Sequence, residues 1–204
     1  SEAHRKVAEN VAFQLREHLG LEDVSAFNQE WQAYQQSVRD GEYQIARAGW
    51  IGDYQDPNTF LDMWVTNGGT NQTGWSSPTY DRLIEYAADV SRFLAAPDPL
   101  LGELKEQART RELLATWQRL PDGPERVKAA EAVRMQLFRE AEAILVQDAY
   151  PVLPLYFYVW SGLVKPEVGG FGTELQMPDG SRRPNLQDLH PIRGLWMRTA
   201  GEEE

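Results

Sequence analysis

The chain has no cysteine among its 204 residues. That removes disulfides, thiolate nucleophiles and thiolate metal ligands together, and it leaves the redox compartment open. Histidine is scarce: His4, His18 and His190 are scattered, with no His-Glu-x-x-His spacing, so metal catalysis lacks its usual ligands. A Gly-x-Ser-x-Gly elbow is missing, and Gly68-Gly69 lacks the Lys-Ser/Thr of a phosphate loop. Basic residues are outnumbered, 20 against 31 acidic, for a net charge of −11, which opposes binding to the phosphates of a nucleic acid. Long apolar runs are absent too. Spanning a bilayer as a helix takes about 20 residues, and the longest candidate, Tyr150 to Val164, is broken by Pro151 and Pro154.

What remains is the composition of an ordinary globular protein, 42% hydrophobic and 25% charged, long enough for one substantial core or two small ones. The first residues open directly into an amphipathic pattern, without the apolar centre of a signal peptide. Val7, Ala8, Val11, Ala12, Leu15 and Leu19 recur at helical spacing before Gly20, which predicts a helix over 2–19. A short strand at 23–28, a helix carrying Trp31, Tyr34 and Val38, and a strand at 43–48 are expected next.

Asp56-Pro57, Ser77-Pro78 and Asp122-Gly123-Pro124 read as capped helix starts. The second launches a helix bearing Leu83, Ile84, Ala87, Val90 and Leu94. The third launches one with Val127, Ala130, Val133, Leu137, Ile144 and Leu145 on its inner face. Residues 67–74 form a loop by their turn composition. Pro151 to Val159 is nearly all apolar and reads as a central strand. Beyond Trp160 the chain turns to Gly, Pro and polar residues and ends in three glutamates. Asn71-Gln72-Thr73 matches a glycosylation sequon, a frequent chance match. Acidic pairs such as Glu103 with Glu106 are most simply solvated helix faces.

The most informative run is Ala46-Arg47-Ala48-Gly49-Trp50-Ile51-Gly52-Asp53-Tyr54-Gln55-Asp56-Pro57-Asn58-Thr59-Phe60. Three others accompany it in order: Asn28-Gln29-Glu30-Trp31, Ser77-Pro78-Thr79-Tyr80-Asp81-Arg82-Leu83-Ile84, and Pro151-Val152-Leu153-Pro154-Leu155-Tyr156-Phe157-Tyr158 followed by Leu163-Val164-Lys165-Pro166. Together they resemble the oligopeptide-binding proteins of bacterial ABC importers, the extracellular solute-binding proteins of family 5. The resemblance implies an α/β fold, one lobe of a class II periplasmic-binding-protein-like fold, with a mixed sheet flanked by helices. It implies a C-terminal lobe over 1–160, cut from a much longer protein. A helical insertion would occupy about 92–121, with its apolar residues packing locally, and a tail over 161–204 would return to the absent N-terminal lobe.

The implied activity is binding, with no catalytic residue, cofactor or metal. The expected partners are a peptide, the permease subunits of an importer and the N-terminal lobe. The expected location is periplasmic or extracellular, with anchoring to a membrane through the missing N-terminus as an option. Six residues are candidates for the ligand site: Asp53, Trp50, Trp31, Arg47, Tyr158 and Ile51. On the sequence alone Asp53 is more readily a turn or cap aspartate than a ligand contact; the resemblance reverses that order, since in the family the matching aspartate pairs with the ligand's α-ammonium. Arg47 is either a donor to the ligand or the structural partner of Asp53, Asp56 or Glu30. Trp31, Trp50 and Tyr158 offer cleft walls or core aromatics.

The sequence departs from well-known peptide binders at Ile51, where they can carry cysteine, and at Val38, where a basic residue can occur. That leaves the accepted peptide length open. Alternative cargos on the same fold are a dipeptide, a metal chelate or another small solute, and a ligand-sensing module is a further reading.

Overall fold

The computed structural model describes residues 2–95 and 98–158, together with 168–169, 174–176, 182–184 and 196–197. Two compact units make up the chain, 1–154 and 155–204. In the first, helix α1 spans Glu2–Leu19. Gly20, at φ +68°, closes it: the Gly20 N–H reaches the Arg16 carbonyl and the Leu21 N–H the Leu15 carbonyl. Helix α2, Trp31–Arg39, is capped by the Glu30 carboxylate, which accepts the Gln32 and Ala33 N–H groups. It stops at Gly41, φ +71°. These boundaries match the sequence reading.

After the short helix α3, Asn58–Leu61, and a 3₁₀ turn at Asp62–Trp64, the loop expected at 67–74 leads to helix α4, Pro78–Ala88. The Ser77 hydroxyl caps α4 by accepting the Tyr80 N–H at 3.2 Å, with Pro78 in the first turn. Val90 and Leu94, expected on α4, belong instead to a separate helix α5, Val90–Ala95, because α4 ends at Asp89. Helices α6, Gly102–Glu106, and α7, Ala108–Arg119, precede the long α8, Pro124–Ala143, which runs on into a wider π turn at Ile144–Asp148. At the start of α8 the cap position falls to Gly123, φ +155°, and Asp122 pairs with Arg126 at 2.8 Å rather than capping.

The core lies between α4 and α8. Tyr80, Leu83 and Ala87 of α4 meet Val133, Leu137, Phe138 and Ala141 of α8, all buried. Phe93, Leu101 and Leu104 join the same cluster, and Leu113 and Leu114 pack against it. The apolar residues of 92–121 therefore complete the main core rather than packing only among themselves. Val127, expected on the inner face of α8, is exposed: the helix periodicity is right, but the buried stretch of α8 begins at Val133.

The expected strands at 23–28 and 43–48 are not strands, and neither are residues 151–158. An extended segment becomes a strand only when a neighbour supplies its hydrogen bonds, and these segments pair with none. Leu153, Leu155 and Phe157, expected in the middle of a sheet, lie at the surface. The mixed sheet is thus not present among the described residues. Among the described residues strands occur only in the second unit, as two short antiparallel pairs: β1 Val168–Gly169 with β4 Trp196–Met197, and β2 Glu174–Gln176 with β3 Arg182–Pro184. Residue 159 and most of the expected tail over 161–204 lie outside the described residues. None of the described helices is long and apolar enough to cross a membrane.

Candidate functional site

Residues 46–57 lead into α3 as an irregular segment, and its shape is set by a few specific bonds. At its start, the Tyr34 hydroxyl on α2 donates to the Arg47 carbonyl at 2.8 Å. Tyr34 also stacks with Trp31, ring centroids 5.6 Å apart and planes 20° from parallel. Tyr34 therefore joins two of the candidate residues, Trp31 and Arg47, although its place on the helix was the only role legible in its spacing. Burial raises the Tyr34 hydroxyl pKa above 10.0, with the Arg47 charge working against that. His4, on α1, is shifted below its ordinary value by burial first and by Arg47 second, which places α1 within the field of the same guanidinium.

Trp50, Ile51 and Asp53 follow along the segment and are all exposed. Gly52 lies against α3: a Cβ there would come within 2.9 Å of the Phe60 ring and 3.0 Å of the Thr59 methyl. That close approach lets the Asp53 N–H donate to the Thr59 hydroxyl at 3.0 Å, where Thr59 is almost fully buried. The Asp53 backbone is thus pinned while its carboxylate stays at the surface. Among the described residues that carboxylate forms no ion pair, so Arg47 does not hold it in the structural pair that the sequence left open.

Asp56 is engaged elsewhere. Its carboxylate accepts the Asn58 N–H at 2.9 Å, but α3 starts at Asn58 with Pro57 at the cap position, one residue later than Asp56-Pro57 predicted. The same carboxylate receives both terminal nitrogens of Arg134 at 2.7 Å each. Glu30, the third candidate partner for Arg47, caps α2. Asn58 adds bonds to the Tyr54 hydroxyl and the Asp62 carboxylate. Arg134 was not singled out from the sequence. Its one local signal is that it follows Val133 on the inner face of α8, where a long polar side chain is unusual.

Tyr158 belongs to the second unit, where its ring meets that of Tyr156 edge-on, centroids 5.3 Å apart. Within the first unit, then, Trp31, Arg47, Trp50, Ile51 and Asp53 sit on α2 and one continuous segment, and these five side chains supply one carboxylate, one guanidinium, two indoles and one aliphatic group. Such a set can pair an ammonium group, donate to carbonyls and cover apolar side chains.

Residues 1–72 match the family described as bacterial extracellular solute-binding proteins, family 5 Middle. Across most of its length the chain is also similar to curated proteins. The oligopeptide-binding protein OppA of Bacillus subtilis is 30% identical over 82% of this chain and 25% of its own length. The periplasmic murein peptide-binding protein MppA of Escherichia coli is 30% identical over 84% of this chain and 24% of its own. A solved structure of MppA, in its unliganded open form, superposes with a TM-score of 0.58 at 27% identity, covering 84% of this chain and 25% of that one.

The chain thus resembles the family 5 extracellular solute-binding proteins, through the model match over 1–72 and the relatives above, and the likeness to MppA supports a periplasmic-binding-protein-like fold. It spans about a quarter of the length of the curated relatives it matches.

Proposed function

We propose that the chain forms part of an extracytoplasmic solute-binding protein that captures peptides between two lobes and delivers them to the permease of an ABC importer. The observation that carries this reading is the Asp53 carboxylate, exposed and without an ion pair among the described residues on a backbone pinned to Thr59. The run that holds Asp53 lies inside the family-matched residues. A peptide's α-ammonium, once desolvated, needs such a counter-charge, since an unpaired buried ion costs several kcal/mol. Arg47, Trp31, Trp50 and Ile51 shape the rest of the site on the first unit, with backbone pairing giving affinity that does not depend on peptide sequence.

In this reading the apolar segments at 23–28, 43–48 and 151–158 become strands of a mixed sheet when the remainder of a two-lobed protein supplies their partners. Exposed Phe27, Ile45, Leu153 and Phe157 are then sheet residues awaiting cover. Lobe closure over the ligand distinguishes loaded from empty protein. The protein works outside the cytoplasm, in the periplasm or at the cell surface, and needs no catalytic group.

The test is native mass spectrometry of the two-lobed protein, purified without denaturation, beside its Asp53→Asn variant. A ladder of bound peptide masses that shrinks in the variant supports peptide capture anchored at Asp53. A single non-peptide mass, or retention indifferent to Asp53, overturns it.

A further inference from the structure

We infer that Arg134 is a positioning residue for the ligand-facing segment, holding Asp53 in place from the core helix α8; the consequence for binding rests on the peptide-capture reading above. The Arg134 guanidinium is held by several partners at once. Its two terminal nitrogens grip the Asp56 carboxylate at 2.7 Å, its Nε donates to the Ala87 carbonyl at 3.0 Å, and its plane lies 4.6 Å over the ring of buried Phe138. Glu131, one turn earlier on α8, adds an exposed contact at 3.2 Å.

A fork held by a backbone carbonyl and an aromatic face has one orientation, and a two-oxygen grip transmits that orientation to Asp56. Asp56 passes it on. Its carboxylate receives the Asn58 N–H and so sets the start of α3, and the next residue, Thr59, receives the Asp53 N–H. Arg134 and Asp56 are 78 positions apart in sequence, and Asp53 is three residues from Asp56, so the tie fastens the segment to the hydrophobic core at the point where it carries its carboxylate. Arg134 touches no ligand in this scheme. It acts by limiting where the Asp53 carboxylate can be, and a charge pair with an ammonium is sensitive to that placement.

The test compares Arg134→Lys and Arg134→Gln with Asp56→Asn, which keeps an oxygen for the Asn58 N–H but loses the charged grip. Residue-resolved amide hydrogen exchange on the chain reads the positioning without any ligand. Faster exchange at Asp53 and Asn58 by about tenfold or more, with the amides of α4 unchanged, supports the tie. Unchanged exchange at Asp53, or equal acceleration throughout α4 and the segment, overturns it. If Arg134→Gln does not fold, Arg134→Lys, which keeps the charge but not the fork, decides on the same readout.

In the two-lobed protein, a tripeptide with a free amino terminus and its N-acetylated form are then titrated. Loss of affinity by Arg134→Lys for the free amine alone, about tenfold, supports positioning of the anchor. Equal loss for both peptides overturns a positioning role and leaves a general structural one. If Asp53→Asn itself binds the free amine normally, the peptide-anchor reading fails, while the exchange result still decides the role of Arg134.

Discussion

The hydroxyl of Tyr34 on α2 donates to the backbone carbonyl of Arg47, joining a helix to the segment 13 residues further on. Replacing Tyr34 with Phe removes the donor and leaves the ring stacked on Trp31. The expected cost is about 1 kcal/mol, the usual net worth of one hydrogen bond. The pH dependence has a definite sign. Burial raises the folded-state pKa of Tyr34 above 10.0, so its contribution is complete below that value and is lost as pH rises through the folded pKa. Thermal melts of the two proteins should therefore differ at neutral pH and converge on the alkaline side.

The core is tested by a pair of truncations on one helix. Leu137 is 1% exposed and Val127 69%, although both fall at apolar positions of α8. Leu137→Ala should cost about 2–5 kcal/mol through lost burial and a cavity. Val127→Ala should lie within about 0.5 kcal/mol of the parent, as surface substitutions do. Denaturant titration separates the two, and a comparable cost for Val127 would place the core further toward the helix start.

The Asn71-Gln72-Thr73 run is a folding element. The Asn71 amide group donates to the carbonyls of Trp64, Val65 and Trp75 at 3.0–3.1 Å, and its oxygen accepts from the Thr73 N–H and hydroxyl. Asn71→Asp turns that donor into an oxygen facing three carbonyls. A loss of about 2–3 kcal/mol is expected, at the upper end for leaving half-buried polar groups unmatched. Asn71→Ala should cost less, because it removes the bonds without adding repulsion; the reverse order in thermal melts would contradict this account.

Helices were legible in the sequence because their signals are local. Gly20 and Gly41 stop α1 and α2, Ser77-Pro78 starts α4, and the inner face of α8 follows from its spacing. The strands expected at 23–28 and 43–48 were misread, because a strand needs a hydrogen-bonding neighbour in space and local composition does not say whether one exists; these segments pair with none. For the same reason the candidate residues of the first unit could be named while their supports could not. Tyr34 and Arg134 reach their partners 13 and 78 positions away, and no local pattern announces a bond of that length. The stretch 92–121 shows the same limit: a helical insertion packing locally was expected there, but Phe93, Leu101 and Leu104 enter the main core.

Gly52 makes the last prediction, because its missing side chain lets the Asp53 backbone reach Thr59. A methyl group at position 52 would press on the Phe60 ring at 2.9 Å and on the Thr59 methyl at 3.0 Å, closer than non-bonded carbons settle. The two neighbours differ in how they can yield. Phe60 is half exposed and can swing outward, while Thr59 is 2% exposed and enclosed. Gly52→Ala should therefore push the segment away from α3 and weaken the Asp53 to Thr59 bond, at a cost of about 1–3 kcal/mol, as overpacking usually carries. Adding Phe60→Ala should relieve the contact with the ring but not that with Thr59, so the pair of changes recovers only part of the loss. A double-mutant cycle measures this coupling. Full recovery would assign the whole constraint to Phe60, and no recovery would assign it to Thr59, the residue that holds the Asp53 amide.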